Sequence, residues 1–425
     1  MKYRLGDICS ITKGDTGIMK AVAGKYVMVA LGEKNKTHND FQFDCEAVIV
    51  PLVSSTGHGH ASMKRVKYQE GKFALGSILC AVIPKDKKIV LAKYLHIYLH
   101  WNREELLVSQ MKGMANVSLP MNKIADVMVT VPSIKQQLNI IELEKKLFNY
   151  EKELSNSFTH QLTLLQNLNQ AILQEAVQGK LVPQNPTDEP ASQLLQRIKA
   201  EKETQRQAQG KGKKEKPLAP IKKEEIPFEI PSSWVWCRLG EVGITQTGTT
   251  PPTSNKEYFG KDIPFIKPAD ISILQVNYNN EGLTFEGLKK GVLVKNDSLL
   301  MVCIGGSTGK SNYITEDVSC NQQINSIKGL SGITGQFFQY FLQSPFFQKA
   351  IWAKSSGGTT PIVNKSKWES IPIPLPPLSE QHRIVAEIEK QFAKTKQLKA
   401  HILANQQSAE QLLKALLWEA FEVKK

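Results

Sequence analysis

The chain has 425 residues, 41% hydrophobic and 22% charged, the composition of a soluble protein long enough for two to three domains with real cores. A formal charge of +14 and a pI near 9.3 argue for an anionic partner, nucleic acid before an acidic membrane surface. Residues 1–15 carry Lys2, Arg4, Asp7, Lys13 and Asp15 without an apolar core, and no apolar run approaches bilayer length, so neither a signal peptide nor a membrane span is expected and the expected location is the cytoplasm.

In chain order, residues 1–131 alternate short β-rich runs (26–31, 47–53, 77–83) with turns and one short helix near 94–110, a pattern that predicts a small α+β domain. A helix over 132–178 follows. Its apolar residues Ile140, Leu143, Leu147, Tyr150, Leu154, Phe158, Leu162, Leu165, Leu168, Ile172 and Ala176 recur every three or four positions with no proline between them. At about 1.5 Å per residue such a helix runs on the order of 65 Å and acts as a spacer. Gly179 fits its C-cap and Pro183 forbids continuation.

Residues 188–207 form a charged amphipathic helix by pattern, with Leu194, Leu195 and Ile198 on one face. From Arg197 to Glu225 ten Lys or Arg face five Glu, which predicts a mobile, solvated tether over 210–220.

At Trp234 the sequence begins again. Arg238-Leu239-Gly240-Glu241 repeats the frame of Arg4-Leu5-Gly6-Asp7, and Thr247-Gly248 sits at the offset of Lys13-Gly14. Asn364-Lys365 is matched with Asn122-Lys123, and Pro377 to Gln381 with Pro132 to Gln136. The period is roughly 240 residues, a tandem duplication of domain plus helix. The second long helix carries Ile384, Ile388, Phe392, Leu398, Ile402, Ala409, Leu412, Leu416 and Ala420 on its stripe. Two narrow stripes of this length are covered most simply by pairing the helices as an antiparallel coiled coil, with the small domains in pseudo-two-fold relation, an arrangement that suits duplex DNA. The interiors, 17–79 and 251–300, share no alignment, so one scaffold is expected to present two different surfaces.

The expected domains are therefore 1–131, a central helix 132–182, a linker 183–230, a second α+β domain 231–376 and a C-terminal helix 377–425.

Catalytic signatures are missing from the sequence. The stretch 305–311, Gly-Gly-Ser-Thr-Gly-Lys-Ser, lacks the first glycine of a phosphate-binding P-loop, since Ile304 stands there, and the residues after Ser311 favour a strand where that motif needs a helix. It reads instead as a tight β-turn whose amides and Lys310 approach a phosphate or a base edge. No dinucleotide loop, amino-methyltransferase motif, H-E-x-x-H or G-x-S-x-G elbow is found. The six cysteines (Cys9, Cys45, Cys80, Cys237, Cys303, Cys320) are scattered and read as buried thiols, and nothing completes a metal site around His58 and His60.

The stretches Pro374-Leu375-Pro376-Pro377-Leu378-Ser379-Glu380-Gln381, Ala171 to Gln184 and Asp188 to Leu195, together with the duplicated architecture, resemble the specificity subunit of a type I restriction-modification system, over nearly the whole chain. That resemblance implies two target recognition domains, each reading one half of a bipartite double-stranded DNA site, and helices that set the gap and dock two modification (methyltransferase) subunits. It also implies that catalysis lies elsewhere: S-adenosylmethionine serves adenine methylation in the modification subunits, ATP and Mg serve cleavage by restriction subunits, and this chain binds no cofactor.

Candidate DNA-contacting residues are the polar loop residues able to reach a groove. In the first domain these are Lys13, Asp15, Thr16, Ser54, Ser55, His58, His60, Lys64 and Arg65. In the second they are Thr247, Thr249, Thr250, Lys267, Ser307, Thr308, Lys310, Asn321, Gln322 and Gln323. Arg and Lys pair with guanine and Asn or Gln with adenine, which points to Asn321, Gln322 and Gln323 as base readers. Two other readings stay open on the residues alone: a single-chain DNA-modifying enzyme, opposed by the missing catalytic motifs, and a coiled-coil adaptor that binds no DNA, opposed by the charge and the duplication.

Overall fold

The computed structural model describes residues 1–17, 21–56, 60–113, 117–208, 217–358 and 360–421. It divides into two units, Met1–Thr159 with Leu403–Lys425, and His160–Ile402. Two 44-residue helices, Ile134–Val177 and Leu378–Phe421, each contribute one part to each unit.

In the first unit the strands are β1 (Lys2–Arg4), β2 (Cys9–Lys13), β3 (Tyr26–Val29), β4 (Lys36–His38), β5 (Phe43–Asp44), β6 (Ala47–Pro51), β7 (Lys67–Gln69), β8 (Lys72–Leu75), β9 (Leu79–Pro84) and β10 (Met128–Thr130). They form an antiparallel sheet of order β2-β9-β6-β7, a mixed sheet of order β4-β3-β8-β5, and the pair β1-β10. Every residue of β6 is buried, and the apolar run Ala-Val-Ile-Val is what a strand covered on both faces requires. Val48, Val50 and Val82 on one face pack against Tyr94, Leu95 and Leu99 of the helix Ala92–Trp101, and Ile140 of the central helix joins that core, with Ala420 and Phe421 against it.

The second unit has β11 (Val235–Arg238), β12 (Gly243–Thr247), β13 (Phe259–Ile266), β14 (Gly282–Leu283), β15 (Ser298–Val302), β16 (Ser311–Tyr313), β17 (Ser319–Cys320), β18 (Ile324–Gly329) and β19 (Pro372–Leu375). Its sheets have orders β12-β18-β15-β16 and β14-β13-β17, beside the pair β11-β19. The interiors that share no sequence thus share one wiring: β12-β18-β15-β16 repeats β2-β9-β6-β7, and the parallel pair β13-β17 repeats the parallel pair β3-β8.

Hydrogen bonds correct two of the sequence matches. Leu5 donates to the Val127 carbonyl and Leu239 to that of Ile371, so one offset pairs Pro120 with Asn364 and Ile124 with Trp368. Asn364-Lys365 therefore does not answer Asn122-Lys123. The same offset pairs Pro132 with Pro376 and Gln137 with Gln381, whose buried amides donate to those proline carbonyls at 2.9 and 3.0 Å.

Each long helix forms as its periodicity predicts, but burial along the stripe is uneven. Ile140, Ile172 and Ala176 are buried where the helix meets a unit's core and Leu147 is buried too, whereas Tyr150, Leu154 and Leu168 are exposed. On the C-terminal helix Ile384 and Ile388 are buried, while Leu398, Leu412 and Leu416 are exposed and Leu417, off the expected stripe, is buried. In the second unit the last turns of the central helix (Ile172, Leu173, Ala176) pack with the first turns of the C-terminal one (Ile384, Ile388) and Trp234, the sense of an antiparallel pair. Gly179, at φ +70°, closes the central helix, and Lys180 donates back to the Glu175 carbonyl.

The segment after the helix is held by three sets of hydrogen bonds. Gln184 donates to Glu380 at 2.6 Å and accepts from Ser233, while Trp234 Nε1 donates to Glu380 at 2.9 Å. Arg383 pairs with Asp188, which also accepts from Ser379. Burial pushes the Glu380 carboxyl up, against the pull of its two donors, whereas Arg383 holds Asp188 down.

The charged linker needs correction. Leu194, Leu195 and Ile198 of the helix Ala191–Ala208 are buried in the second unit's core. The guanidinium of Arg238, 4% exposed, donates to the carbonyls of Ala219, Pro220 and Ser370 and pairs with Glu225 at 2.8 Å. Ala219, Pro220 and Glu225 are therefore held, and the first two fall within the 210–220 segment that charge counting led us to expect as a free tether; residues 209–216 lie outside the described ones.

Arg238→Ala removes several charge-assisted bonds at once, and a loss of about 2–3 kcal/mol is expected in denaturant titration. Arg238 holds Glu225 down at about 2, so this carboxylate's contribution is complete above its unfolded pKa near 4.5 and disappears as pH falls toward about 2. The difference in melting temperature between wild type and Glu225→Gln should accordingly be full at pH 7 and shrink steadily below pH 4.5; a difference independent of pH would contradict the ion pair.

Candidate functional site

In the first unit, antiparallel register places the end of β2 (Lys13) opposite the start of β9 (Cys80), and the end of β6 (Pro51) opposite Leu79. The start of β7 (Lys67) lies opposite Ile49. The segments carrying Lys13 to Thr16, Ser54 with Ser55, and Lys64 with Arg65 therefore all leave the same end of one sheet. In the second unit Thr247 is opposite Asn325, Val302 opposite Ile324 and Met301 opposite Ser311, so the segments 247–250, 303–310 and 320–323 gather in the same way. Residues read as scattered loops along the chain become two sheet ends.

The backbone at each end is forced close. Gly14 donates to the Leu79 carbonyl and Gly248 to that of Ile324. A Cβ at Gly248 would lie 2.2 Å from the Asn321 oxygen, and one at Gly14 would lie 2.3 Å from that of Gly76. No larger residue fits without moving main chain. The turn before the central strand is held on its other side too: Gly76 donates to the Val29 carbonyl, Asn321 to that of Ile266.

Side chains divide into those turned outward and those spent within the protein. Lys13, Asp15, His60, Lys64, Thr249, Lys310 and Gln322 are exposed. Asp15 accepts from Thr16, and Gln42, which sequence reasoning missed, clamps the loop by donating to the Lys13 carbonyl and accepting from the Asp15 amide. Asp15, Thr16, His38, Asp40 and Gln42 line a cleft of about 340 Å³.

Other candidates are committed to holding their own loops. The Ser54 hydroxyl donates to the His60 carbonyl at 2.5 Å, and that of Ser55 accepts from the Lys64 amide. Arg65 stands 3.6 Å from Glu33. Thr247 donates inward to Asn325, Lys267 pairs with Glu281 at 2.5 Å, and Thr308, buried, donates to the Gly305 carbonyl. Ser307 is half-buried and its carbonyl accepts from Lys310, which closes the turn. Strand β16 follows that turn, as the sequence suggested in rejecting a P-loop. Asn321 is buried and donates to Gln323, so of the three expected base readers only Gln322 is exposed, with its Oε1 accepting from the Thr250 hydroxyl. His58 lies outside the described residues.

The exposed groups at these ends are polar, and the thiols beside them are not poised as thiolates. Cys80, Cys303 and Cys320, adjoining them, are each pushed up to about 12 by burial and stay protonated; Cys45 alone among the six thiols is only half-buried. Among the described residues no helix is long and apolar enough to cross a membrane.

A family model described as the type I restriction modification DNA specificity domain matches residues 1–164 and 231–405. The specificity subunit of the type I restriction enzyme EcoAI of Escherichia coli is 32% identical over 65% of this chain, and that of EcoEI 31% over 60%. The chain spans about half the length of these two relatives, 48% and 43%. The EcoDI specificity subunit is 23% identical over 92% of the chain and 81% of its own length. Among solved structures, an HsdS subunit from Thermoanaerobacter tengcongensis superimposes with a TM-score of 0.54 at 17% identity, over 99% of this chain and 96% of that one. A chain from a study of assembly and conformational transition of the type I R-M system gives 0.63 at 16%, over 99% and 97%.

Gly248→Ala should break the close approach to Asn321 and cost about 2–4 kcal/mol in the second unit. The check is hydrogen exchange: protection should fall in β12 and β18 and stay unchanged in β2 and β9, whereas unaltered β18 protection would contradict the contact.

Proposed function

The chain belongs to the type I restriction-modification DNA specificity family, and on that premise we propose that it selects the DNA sequence for a multisubunit complex, each sheet end reading one half of a bipartite duplex site. The observation that carries this reading is the sheet end itself, built twice on one backbone plan with different side chains at its tips. The +14 charge supports the same reading, since phosphate neutralisation dominates DNA affinity. Relatives are specificity subunits, and in this proposal the chain performs no catalytic step and works in the cytoplasm. Two modification subunits, docked on the long helices, use S-adenosylmethionine to methylate adenine; restriction subunits join the complex and cleave with ATP and Mg. Exposed Phe148, Tyr150, Leu412 and Trp418 of the first unit's helical parts are apolar surface suited to such docking.

Sequencing of methylated bases in a host with and without this gene tests the proposal. A bipartite motif present only with the gene is expected, and methylation that persists unchanged in the deletion strain would overturn it. The helices serve as a ruler in this account. Inserting four helix-favouring residues near Thr163 adds about 6 Å of rise, or roughly one to two base pairs of gap. Both half-site sequences should stay the same while the gap lengthens; an unchanged gap with full activity would show that the helices do not set it.

A further inference from the structure

We propose that Gln322 reads an adenine in the second half-site and that Thr250 is its positioning residue, an inference that rests on the DNA-selecting function above. Three backbone bonds recur at the two sheet ends, the first made two residues after Gly14 in one unit and one residue after Gly248 in the other. Thr16 donates to the Leu75 carbonyl as Thr249 does to that of Cys320; Gly76 donates to Val29 as Asn321 does to Ile266; Leu79 donates to Gly76 as Ile324 does to Asn321. The next residue on each turn is Ser77 in one unit and Gln322 in the other. Ser77 is half-buried and its amide donates to the Thr16 carbonyl, whereas Gln322 is exposed. The same rigid turn therefore presents two different tips, which is where two units of one plan can differ in what they read.

Gln322 is also oriented. The Thr250 hydroxyl donates to its Oε1 at 2.6 Å. Beneath it, Asn321 and Gln323 exchange two bonds, Asn321 Nδ2 to Gln323 Oε1 at 3.1 Å and the Gln323 amide to Asn321 Oδ1 at 3.1 Å. The side-chain amide keeps one acceptor lone pair on Oε1 and both Nε2 hydrogens. Adenine's major-groove edge offers the complement, an N6 donor beside the N7 acceptor, so the free lone pair takes N6–H and Nε2 donates to N7. Guanine presents acceptors at both positions and leaves Oε1 facing another oxygen. Holding the amide beforehand removes part of the ordering cost of binding.

The test is the methylated motif in a host carrying the complete complex, with this chain as wild type, Gln322→Ala, Gln322→Glu or Thr250→Val. Wild type should show an adenine in the half that the second unit reads. Gln322→Ala should relax that one position, with discrimination falling on the order of tenfold or more, and leave every other position intact. Gln322→Glu, an acceptor without donors, should admit cytosine there through its N4 amino group. Thr250→Val, which keeps side-chain shape, should preserve the motif and lower the fraction of sites methylated. A full wild-type motif with Gln322→Ala, or loss spread evenly over both halves, would overturn the assignment while leaving the DNA-selecting function standing. A wild-type host with no bipartite motif would instead overturn that function, and this inference with it.

Discussion

The second unit depends on a carboxylate that solvent does not reach. Glu380, fully buried in the first turn of the C-terminal helix, accepts from Trp234 at the start of the second domain and from Gln184 just past the end of the central helix. Three segments far apart in sequence are thereby fixed to one another. A buried charge with both oxygens bonded is tolerated, and removal of either donor leaves the cost of burial uncompensated. The Asp188 to Arg383 pair, part-buried, adds a second tie across the same joint. The stretches that carried the family resemblance are the walls of this joint, which explains why those residue types stand together: proline stops a helix, glutamine and serine donate, glutamate accepts.

From that joint the chain builds a sheet whose far end is constrained by steric contact and not by charge. Gly248 and Gly14 allow main chain to cross main chain at a distance that no side chain permits, and the strand orders around them agree. What varies is the chemistry set upon the crossing. In one unit an aspartate and a glutamine clamp surround a cleft; in the other a glutamine stands on a threonine. Specificity that changes while the fold stays fixed needs this separation, with backbone geometry held by glycine and amide bonds and the readable groups carried by residues free to change.

Much of the fold was legible in the sequence. Periods of three and four with no proline revealed both long helices, and the Arg-Leu-Gly frame with the following Thr-Gly or Lys-Gly revealed the duplication, because local backbone demands leave local traces. The pairing of β3 with β8, and of β13 with β17, left none, since a parallel partner is distant in sequence and its choice depends on tertiary packing. The same limit applies to Arg238, which looks like its counterpart Arg4. Arg4 is half-exposed and pairs with Asp126, whereas Arg238 is buried among carbonyls contributed by a segment that charge counting marked as solvated. For the candidate site, loop polarity picked out segments that the fold gathers at two sheet ends, but not which side chains face outward, because Thr247, Lys267 and Asn321 turn to partners that only the fold brings near.

In the proposed function each unit reads its half of the site alone, through the loops at its own sheet end. The most direct measurement is the methylated motif of a chain whose residues 15–78, the first unit's interior between Gly14 and Leu79, are replaced by those of a relative with another target. One half of the motif should change to the donor's sequence while the other half and the gap stay as they were. A change in both halves, or in neither, would contradict it.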